Sequence, residues 1–286
     1  MTVDAFTRRT AGLRRSRSAQ VGIVCAFAIV LFAVIGPFIL GNAYDQSLPD
    51  RLALPGSQGA GGVPHPLGTD QLGRDVLARL ALGARMSLTI AVLAVGLSGV
   101  IGVTLGLYAG FNGGWLERIV MRISDIQLAV PFVLFVILVV GALGPSIQNL
   151  VVVLAVGGWV PYARVVRGDV LRIRSLEFVL AARSVGVPRR GIMLRHVLPN
   201  ALPPVIVLAT SATAQMIIAE AALSFLGLGV QPPEPSLGTM LSDGRSYLQI
   251  DPWLATIPGV TIMIAVLGVN LLGDFLRDTL DPRTRR

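Results

Sequence analysis

The sequence predicts an all-α integral membrane protein with six transmembrane helices, and its composition and its first apolar run are the observations that predict it. Of its 286 residues, 53% are hydrophobic and 14% are charged, and its mean hydropathy is +0.71, values outside the range of soluble domains. Val21–Leu40 contains no charge and is long enough to cross about 30 Å of hydrocarbon as a helix. Because no small-residue cleavage site follows it, we expect a retained anchor rather than a signal peptide.

Five further apolar stretches follow this anchor. We expect them to span the membrane near Met86–Tyr108, Val120–Gly141, Ile147–Val166, Leu202–Leu228 and Trp253–Phe275. Several contain a proline, which membrane helices tolerate better than soluble ones because neighbouring groups can bond the freed carbonyls. The six runs together predict a bundle of membrane helices.

The arginines predict the orientation of these spans, and all 24 basic residues are arginines. They concentrate in the first 17 residues (positions 8, 9, 14, 15 and 17), between residues 159 and 201, and after the last span (positions 277, 283, 285 and 286). Placing these segments inside puts both termini in the cytoplasm. The basic charge is thereby explained as an orientation signal, and we expect membrane lipid rather than nucleic acid as its surroundings.

Several chemistries are not expected in this chain. Without lysine it cannot contain the phosphate-binding loop G-x-x-x-x-G-K-[ST], so another chain must perform any nucleotide hydrolysis. His65 and His196 lie far apart without partners at ligand spacing, which argues against a metal site. The nucleophile motif G-x-S-x-G and the zinc motif H-E-x-x-H are absent from the sequence, so we do not expect an enzyme.

Residues 167–200, between spans four and five, form the longest loop assigned to the cytoplasm. We expect Ser175 to cap a short helix that begins one residue later, with Glu177 in its first turn. Gly186 should end the helix in a left-handed conformation, and Pro188 reinforces that end. Such a helix suits either a groove on a partner protein or the lipid headgroups, and composition leaves both open.

The same loop resembles the EAA loop of binding-protein-dependent ABC importer permeases, in which E-A-A precedes G by three residues and I-x-L-P follows nine residues later. Ala181 and Ala182 match the two alanines, Gly186 matches the glycine, and the segment ending at Pro199 matches the last element. Leu180 replaces the glutamate of the pattern, with Glu177 as the nearest acid, and His196 replaces the isoleucine. The first departure bears on the usual glutamate contact, for which Glu177 is the candidate substitute, and the second points to a subfamily.

Longer segments are similar to the C-type subunit of the dipeptide/oligopeptide branch of that family. They are Arg195–Pro204 (RHVLPNALPP), His65–Leu88, Ala219–Arg245 and Asn270–Arg283. The resemblance implies a permease domain over residues 65–286, preceded by a tail, anchor and external loop over residues 1–64. The coupling loop would cover about residues 167–200.

The resemblance also implies a function and a set of partners. The chain would work with a homologous second permease subunit, two ATPase subunits that bind ATP and Mg²⁺, and an external binding protein, in the cell membrane of a prokaryote. It would hold no cofactor itself. The expected solutes are dipeptides or oligopeptides. The alternatives are nickel or another small solute of the same branch, or a proton-coupled secondary transporter with Glu220 as its titrating group.

The candidate site residues follow from the resemblance and from the sequence. Those expected to couple to the ATPase are Glu177, Ala181, Ala182, Arg183, Gly186, Arg195, His196 and Pro199. An acid in the fifth span is costly, so Glu220 either contacts substrate or, as we favour, is a hydrogen-bonded structural acid. Gly102, Gly106 and Gly110 share one helix face and predict close helix packing. We expect Asp125 to pair with Arg122 three residues earlier.

Overall fold

The computed structural model describes residues 17–59 and 62–280 and is helical through most of that length. The arginines at positions 8, 9, 14, 15, 283, 285 and 286 lie outside the described residues. In chain order the helices are α1 (Arg17–Ile39), α2 (Val76–Asn112), α3 (Gly114–Leu128), α4 (Phe132–Leu143), α5 (Ile147–Ile173), α6 (Glu177–Ser184), α7 (Leu198–Phe225), α8 (Leu237–Arg245) and α9 (Trp253–Leu280).

Shorter elements connect these helices. A 3₁₀ turn (Leu48–Asp50) and a small antiparallel hairpin, β1 (Ser57–Gln58) and β2 (Pro64–His65), lie between α1 and α2. A helical turn (Arg189–Gly191) and a π-helical turn (Ile192–Val197) lead into α7. Within the described residues, five continuous helical stretches are long and apolar enough to cross a membrane, and a bent pair makes up to six.

The second span begins earlier than its apolar pattern indicates, at Val76 rather than near Met86. The side chain of Asp75 accepts a hydrogen bond from the N–H of Ala78 at 2.8 Å and so caps the helix. Arg79 lies inside the first turns and is buried. An arginine that marks the edge of an apolar run therefore does not mark the end of the helix.

The third predicted span is bent rather than straight, because α3 and α4 meet at 90°. The break falls at Pro131, which has no N–H to donate and disfavours the helical conformation of the residue before it. Glu117 near the start of α3 pairs with Arg167 near the end of α5. Asn149 near the start of α5 donates to the carbonyl of Gly144, just after α4, at 2.9 Å. The two ends of the bent pair therefore contact the two ends of α5, in antiparallel order.

The helix face of α2 that contains the three spaced glycines lies against α5. A Cβ atom at Gly102 would collide with the carbonyl of Trp159, and one at Gly106 would collide with the backbone of Ala163. At Gly110 it would lie 3.0 Å from the carbonyl of Arg167. The absence of side chains lets the two helix backbones touch at three positions, each about one turn from the next.

The loops gather at two ends of the bundle. At one, called the hairpin end, Arg79 contacts both Asp70, which follows the hairpin, and Asp243 of α8, and Tyr44 donates its hydroxyl to Glu234 at 2.5 Å. At the other, called the loop end, α6 and the π-helical turn lie near the α2–α3 junction, and Arg174 donates to the carbonyl of Gly110 at 2.9 Å. The segments predicted to lie on opposite sides of the membrane thus lie at opposite ends.

The motif that begins at His65 folds into a closed turn at the hairpin end. His65 pairs with Asp75 at 2.9 Å. The buried carboxylate of Asp70 receives Nε of Arg74 at 2.7 Å and Nη1 of Arg79 at 3.1 Å. A carboxylate held by two guanidinium groups satisfies the requirement that a buried charge be paired, so this motif ties the segment between α1 and α2 to the start of α2.

Candidate functional site

The helix α6 begins one residue later than expected, and its predicted cap is wrong. Leu176 occupies the N-cap position without a side-chain bond. Ser175 instead donates its hydroxyl to the carbonyl of Arg172 at 2.8 Å. The chain leaves α5 in a tight turn, with the N–H of Leu176 bonded to the carbonyl of Ile173 at 3.0 Å, so the Ser175 side chain meets the last carbonyls of α5.

The end of α6 is the one that the sequence predicts. Gly186 has a φ of +83°, and its N–H bonds the carbonyl of Arg183 at 3.1 Å. The N–H of Val187 bonds the carbonyl of Ala182 at 3.1 Å. These two bonds form a Schellman motif, in which a residue of positive φ closes the helix and satisfies its last carbonyls.

The two alanines of the motif differ in burial. Val179 is fully buried, and Ala182 is half-buried against the same apolar core. That core includes Ile192 and Val197 of the π-helical turn. Ala181 faces outward beside Leu180, which is 47% exposed. Ala182 therefore holds α6 against the protein, while the small side chain of Ala181 leaves the outer face of the helix narrow.

The outer face of this region carries charge and apolar groups together. We call it the loop surface, and its exposed members are Glu177, Leu180, Ala181, Arg183, Val185, Arg189, Arg190, Leu194 and Arg195. Within the described part of the chain, its four arginines form no ion pair. Free guanidinium groups around an apolar strip suit a partner that offers carboxylates and an apolar groove.

The π-helical turn that holds His196 was not anticipated. Pro199 has no N–H for the carbonyl of Arg195, and its ring crowds that carbonyl, so the wider turn before it relieves the conflict. Asn200 donates to the carbonyl of His196 at 2.6 Å. The Nδ1 atom of His196 is buried and, among the described residues, has no hydrogen-bond partner. Pro199 itself lies exposed in the first turn of α7.

Glu220 lies fully buried where α2, α7 and α8 meet. Ser224 donates its hydroxyl to Oε1 of Glu220 at 2.7 Å, and Ser87 and Ser236 also interact with this side chain. Its Oε2 atom has no hydrogen-bond partner among the residues that the structure describes. The acid lies five residues before α7 ends at Phe225, nearer the hairpin end than the predicted span implied. Burial among hydroxyls is the arrangement that a structural acid requires.

The predicted pairing of Asp125 with Arg122 is wrong. Asp125 pairs with Arg164 of α5 at 2.5 Å, and Arg122 is exposed. Glu117, earlier on α3, likewise pairs with Arg167 of α5, so α3 lies along the loop half of α5. A partner across the helix pair is then closer than the neighbour on the same helix.

The hairpin end contains a cavity that sequence reasoning missed. It has a volume of about 330 Å³ and is lined by residues of the His65 motif and of α8, among them Arg74, Arg79 and Asp243. Arg79 bridges Asp70 to Asp243, which lies 3.7 Å away. Burial raises the pKa of Asp243 above its ordinary value, while a hydrogen bond from Gln71 and the charge of Arg74 lower it. No sequence signal places α8 beside the motif, because the two segments lie about 150 residues apart in the chain.

The family model of binding-protein-dependent transport system inner membrane components matches residues 102–286, which is well over half of the chain. The chain belongs to this transport family. It is therefore a multi-pass component of the inner membrane and a permease subunit of an ABC transporter, a class that works with ATPase and substrate-binding proteins.

Individual relatives of this transport family cover almost the whole chain. A dipeptide transport system permease protein of Alkalihalophilus pseudofirmus is 40% identical over 96% of this chain and 88% of its own length. An oligopeptide transport system permease protein of Bacillus subtilis is 39% identical over 99% and 90%. A glutathione transport system permease protein of Pectobacterium atrosepticum is 39% identical over 98% and 91%.

Proposed function

We infer that this chain forms half of the translocation path of an ATP-driven importer of dipeptides or short oligopeptides. The relatives whose names specify dipeptides, oligopeptides and glutathione support a peptide-like solute. The other half of the path is a homologous permease subunit, and two ATPase subunits bind ATP and Mg²⁺. The arginine-rich loop end then faces the cytoplasm, with both termini on that side.

The coupling role rests on how the rest of the chain holds α6. Its buried Val179 anchors it to the core, and its Schellman end closes it at Gly186. A force applied to a helix moves its neighbours only if the contact is stiff and the helix does not fray. Since α6 follows α5 directly and contacts the π-helical turn before α7, displacement of α6 displaces two membrane helices.

The loop surface supplies the chemistry of this contact. Because the side chain of Ala181 is small, the wall of a groove on the partner can approach the helix there. Leu180 and Val185 offer apolar surface area on either side. Glu177 lies on the same outward face as Ala181, four residues earlier, and so presents the carboxylate that Leu180 lacks. Arg183 and Arg195 are free to pair with acidic groups of an ATPase subunit.

The test uses the complete complex in lipid vesicles. The chain, its second permease subunit, the ATPases and the binding protein are reconstituted, and uptake of labelled dialanine is measured with ATP hydrolysis. Both activities should depend on the binding protein and on ATP. Uptake that survives ATP removal and collapses with the proton gradient would establish the secondary transporter instead.

Cross-linking tests the coupling contact separately. Cys25 is the only cysteine of the chain, so Cys25→Ser gives a cysteine-free background for Ala181→Cys. This variant should cross-link to an ATPase subunit, while Ala182→Cys, which faces the protein core, should not. Cross-linking of Ala181→Cys to lipid alone would refute the docking of α6.

A further inference from the structure

One face of α7 differs from the other exposed faces of the bundle. Ser211, Gln215, Ile218 and Ala222 are all exposed, and their spacing of four, three and four residues places them on one side of the helix. Met216, next to Gln215, is buried. The face therefore points away from the core of the chain.

Gln215 lies at the middle of the bundle. A Cβ atom at Gly158 of α5 would lie 2.5 Å from Cε of Met216 and 2.7 Å from Oγ of Ser98. Gly158 and Ser98 are near the centres of α5 and α2. The side chain beside Met216 is thus at the depth of the hydrocarbon core rather than at a membrane surface.

The carboxamide of Gln215 has no hydrogen-bond partner within the described part of the chain. The hydroxyls around it do have one, since Ser211 donates to the carbonyl of Leu208 at 3.0 Å and Thr213 to that of Ala209 at 2.8 Å. An amide that faces lipid tails without a partner is strongly disfavoured. Water or another polar group must therefore meet this face in the assembled protein.

The exposed faces of α1 and of the middle of α2 have no such group. Between Val21 and Ile39, the exposed side chains of α1 are all apolar. The same holds for the middle of α2, where Val92, Leu97 and Val100 are exposed. Those faces suit lipid, and the α7 face does not.

We propose that Gln215 lines the translocation path and hydrogen-bonds the backbone of the transported peptide, with Ser211 one turn closer to the loop end. This inference rests on the proposed function. A carboxamide both donates and accepts, so it can bond either the C=O or the N–H of any peptide group. Such a contact recognises the main chain and ignores the side chains, as a carrier of peptides of varied sequence requires.

The reactivity of a cysteine at position 215 tests whether this side chain lines the path. In the Cys25→Ser background of the reconstituted complex, Gln215→Cys should react with a charged, membrane-impermeant thiol reagent. Val100→Cys, which lies at similar depth on the apolar face of α2, should not react. An unreactive Gln215→Cys would overturn the proposal, because it would place this side chain against lipid or the second permease subunit.

Transport tests the contact with the peptide. Gln215→Leu should lower the uptake of labelled dialanine about three- to tenfold, the loss expected for one hydrogen bond, in a complex that assembles and hydrolyses ATP without peptide as before. Gln215→Asn should keep most of the uptake, and Ile218→Leu on the same face should keep all of it. Uptake by Gln215→Leu at the wild-type rate would overturn the peptide contact even if the cysteine variant reacts.

The two proposals fail in different ways. A wild-type complex that imports no peptide would refute the proposed function and the peptide contact with it. A wild-type complex that imports dialanine, together with Gln215 variants that behave like it, would refute only the present inference.

Discussion

Gln127 of α3 replaces the hydrogen-bond donor that Pro161 removes from Gly157 of α5. In a regular helix the N–H of residue 161 would bond the carbonyl of Gly157, and proline has none. The Nε2 atom of Gln127 donates to that carbonyl at 2.8 Å and to the carbonyl of Val156 at 2.9 Å. Its Oε1 atom accepts from Nε1 of Trp159 at 2.8 Å. One amide therefore joins the bent third span to the proline turn of the helix that leads into α6.

Gln127→Leu should destabilise the protein by about 1–3 kcal/mol, because it leaves the carbonyl of Gly157 and the indole of Trp159 without partners. Heat unfolding in detergent measures the change. Ile126→Met is the matched control, since Ile126 is adjacent and 62% exposed. Equal unfolding temperatures for the two variants would show that the amide bonds contribute nothing.

Gly186→Val should leave the protein in the membrane but reduce the ATP hydrolysis that peptide and binding protein stimulate. Valine resists the positive φ of this position by about 1–2 kcal/mol, so α6 loses its closed end. Gly168→Val is the control, because a Cβ atom at Gly168 also meets no neighbour and its φ is not positive. Coupled hydrolysis at the wild-type rate in Gly186→Val, with all subunits assembled, would contradict the role of α6.

Gly106→Leu should cost about 2 kcal/mol or more and lower the yield of folded protein, because its side chain would displace the backbone at Ala163. Gly96→Leu on the same helix meets open space and should fold normally. Yield of monodisperse protein in detergent compares the two. If both variants fold equally well, α2 and α5 do not need the close approach that the structure shows.

Asp243→Asn should be at least as heat-stable as the wild type near neutral pH. Burial raises the pKa of Asp243 in the folded protein, so the folded state holds the proton more tightly than the unfolded state does. The ionised group then opposes folding above its ordinary pKa, and stability falls as pH rises through that region. The difference between variant and wild type should vanish as the pH falls below about 4, the ordinary pKa of aspartate.

Unfolding temperatures measured over that pH range test this expectation. If Asp243→Asn is less stable than the wild type near neutral pH, the ion pair with Arg79 outweighs the cost of burial. Gln71→Leu removes the hydrogen bond that lowers the pKa of Asp243, and it should therefore steepen the loss of stability with rising pH.

The local features of the candidate site were predictable. Gly186 ends α6 because a Schellman motif needs only a residue that accepts positive φ and its immediate neighbours. Gly102, Gly106 and Gly110 predicted the packing face of α2 because helical spacing alone places them together. The outward position of Ala181 and the inward position of Ala182 needed the structure, since the motif contains both without distinguishing them.

The sequence by itself determined that the chain is a helical membrane protein, which apolar runs form its spans, and where α6 ends. Lengths of apolar runs and conformations of single glycines depend on residues within a few positions of each other. Only the tertiary structure decided that Asp125 meets Arg164, that Ser175 meets α5, that Glu220 is buried and that Gln215 is not. Those outcomes depend on which helices meet, and the bend at Pro131 and the glycine contact of α2 with α5 set that arrangement across distances that no local pattern encodes.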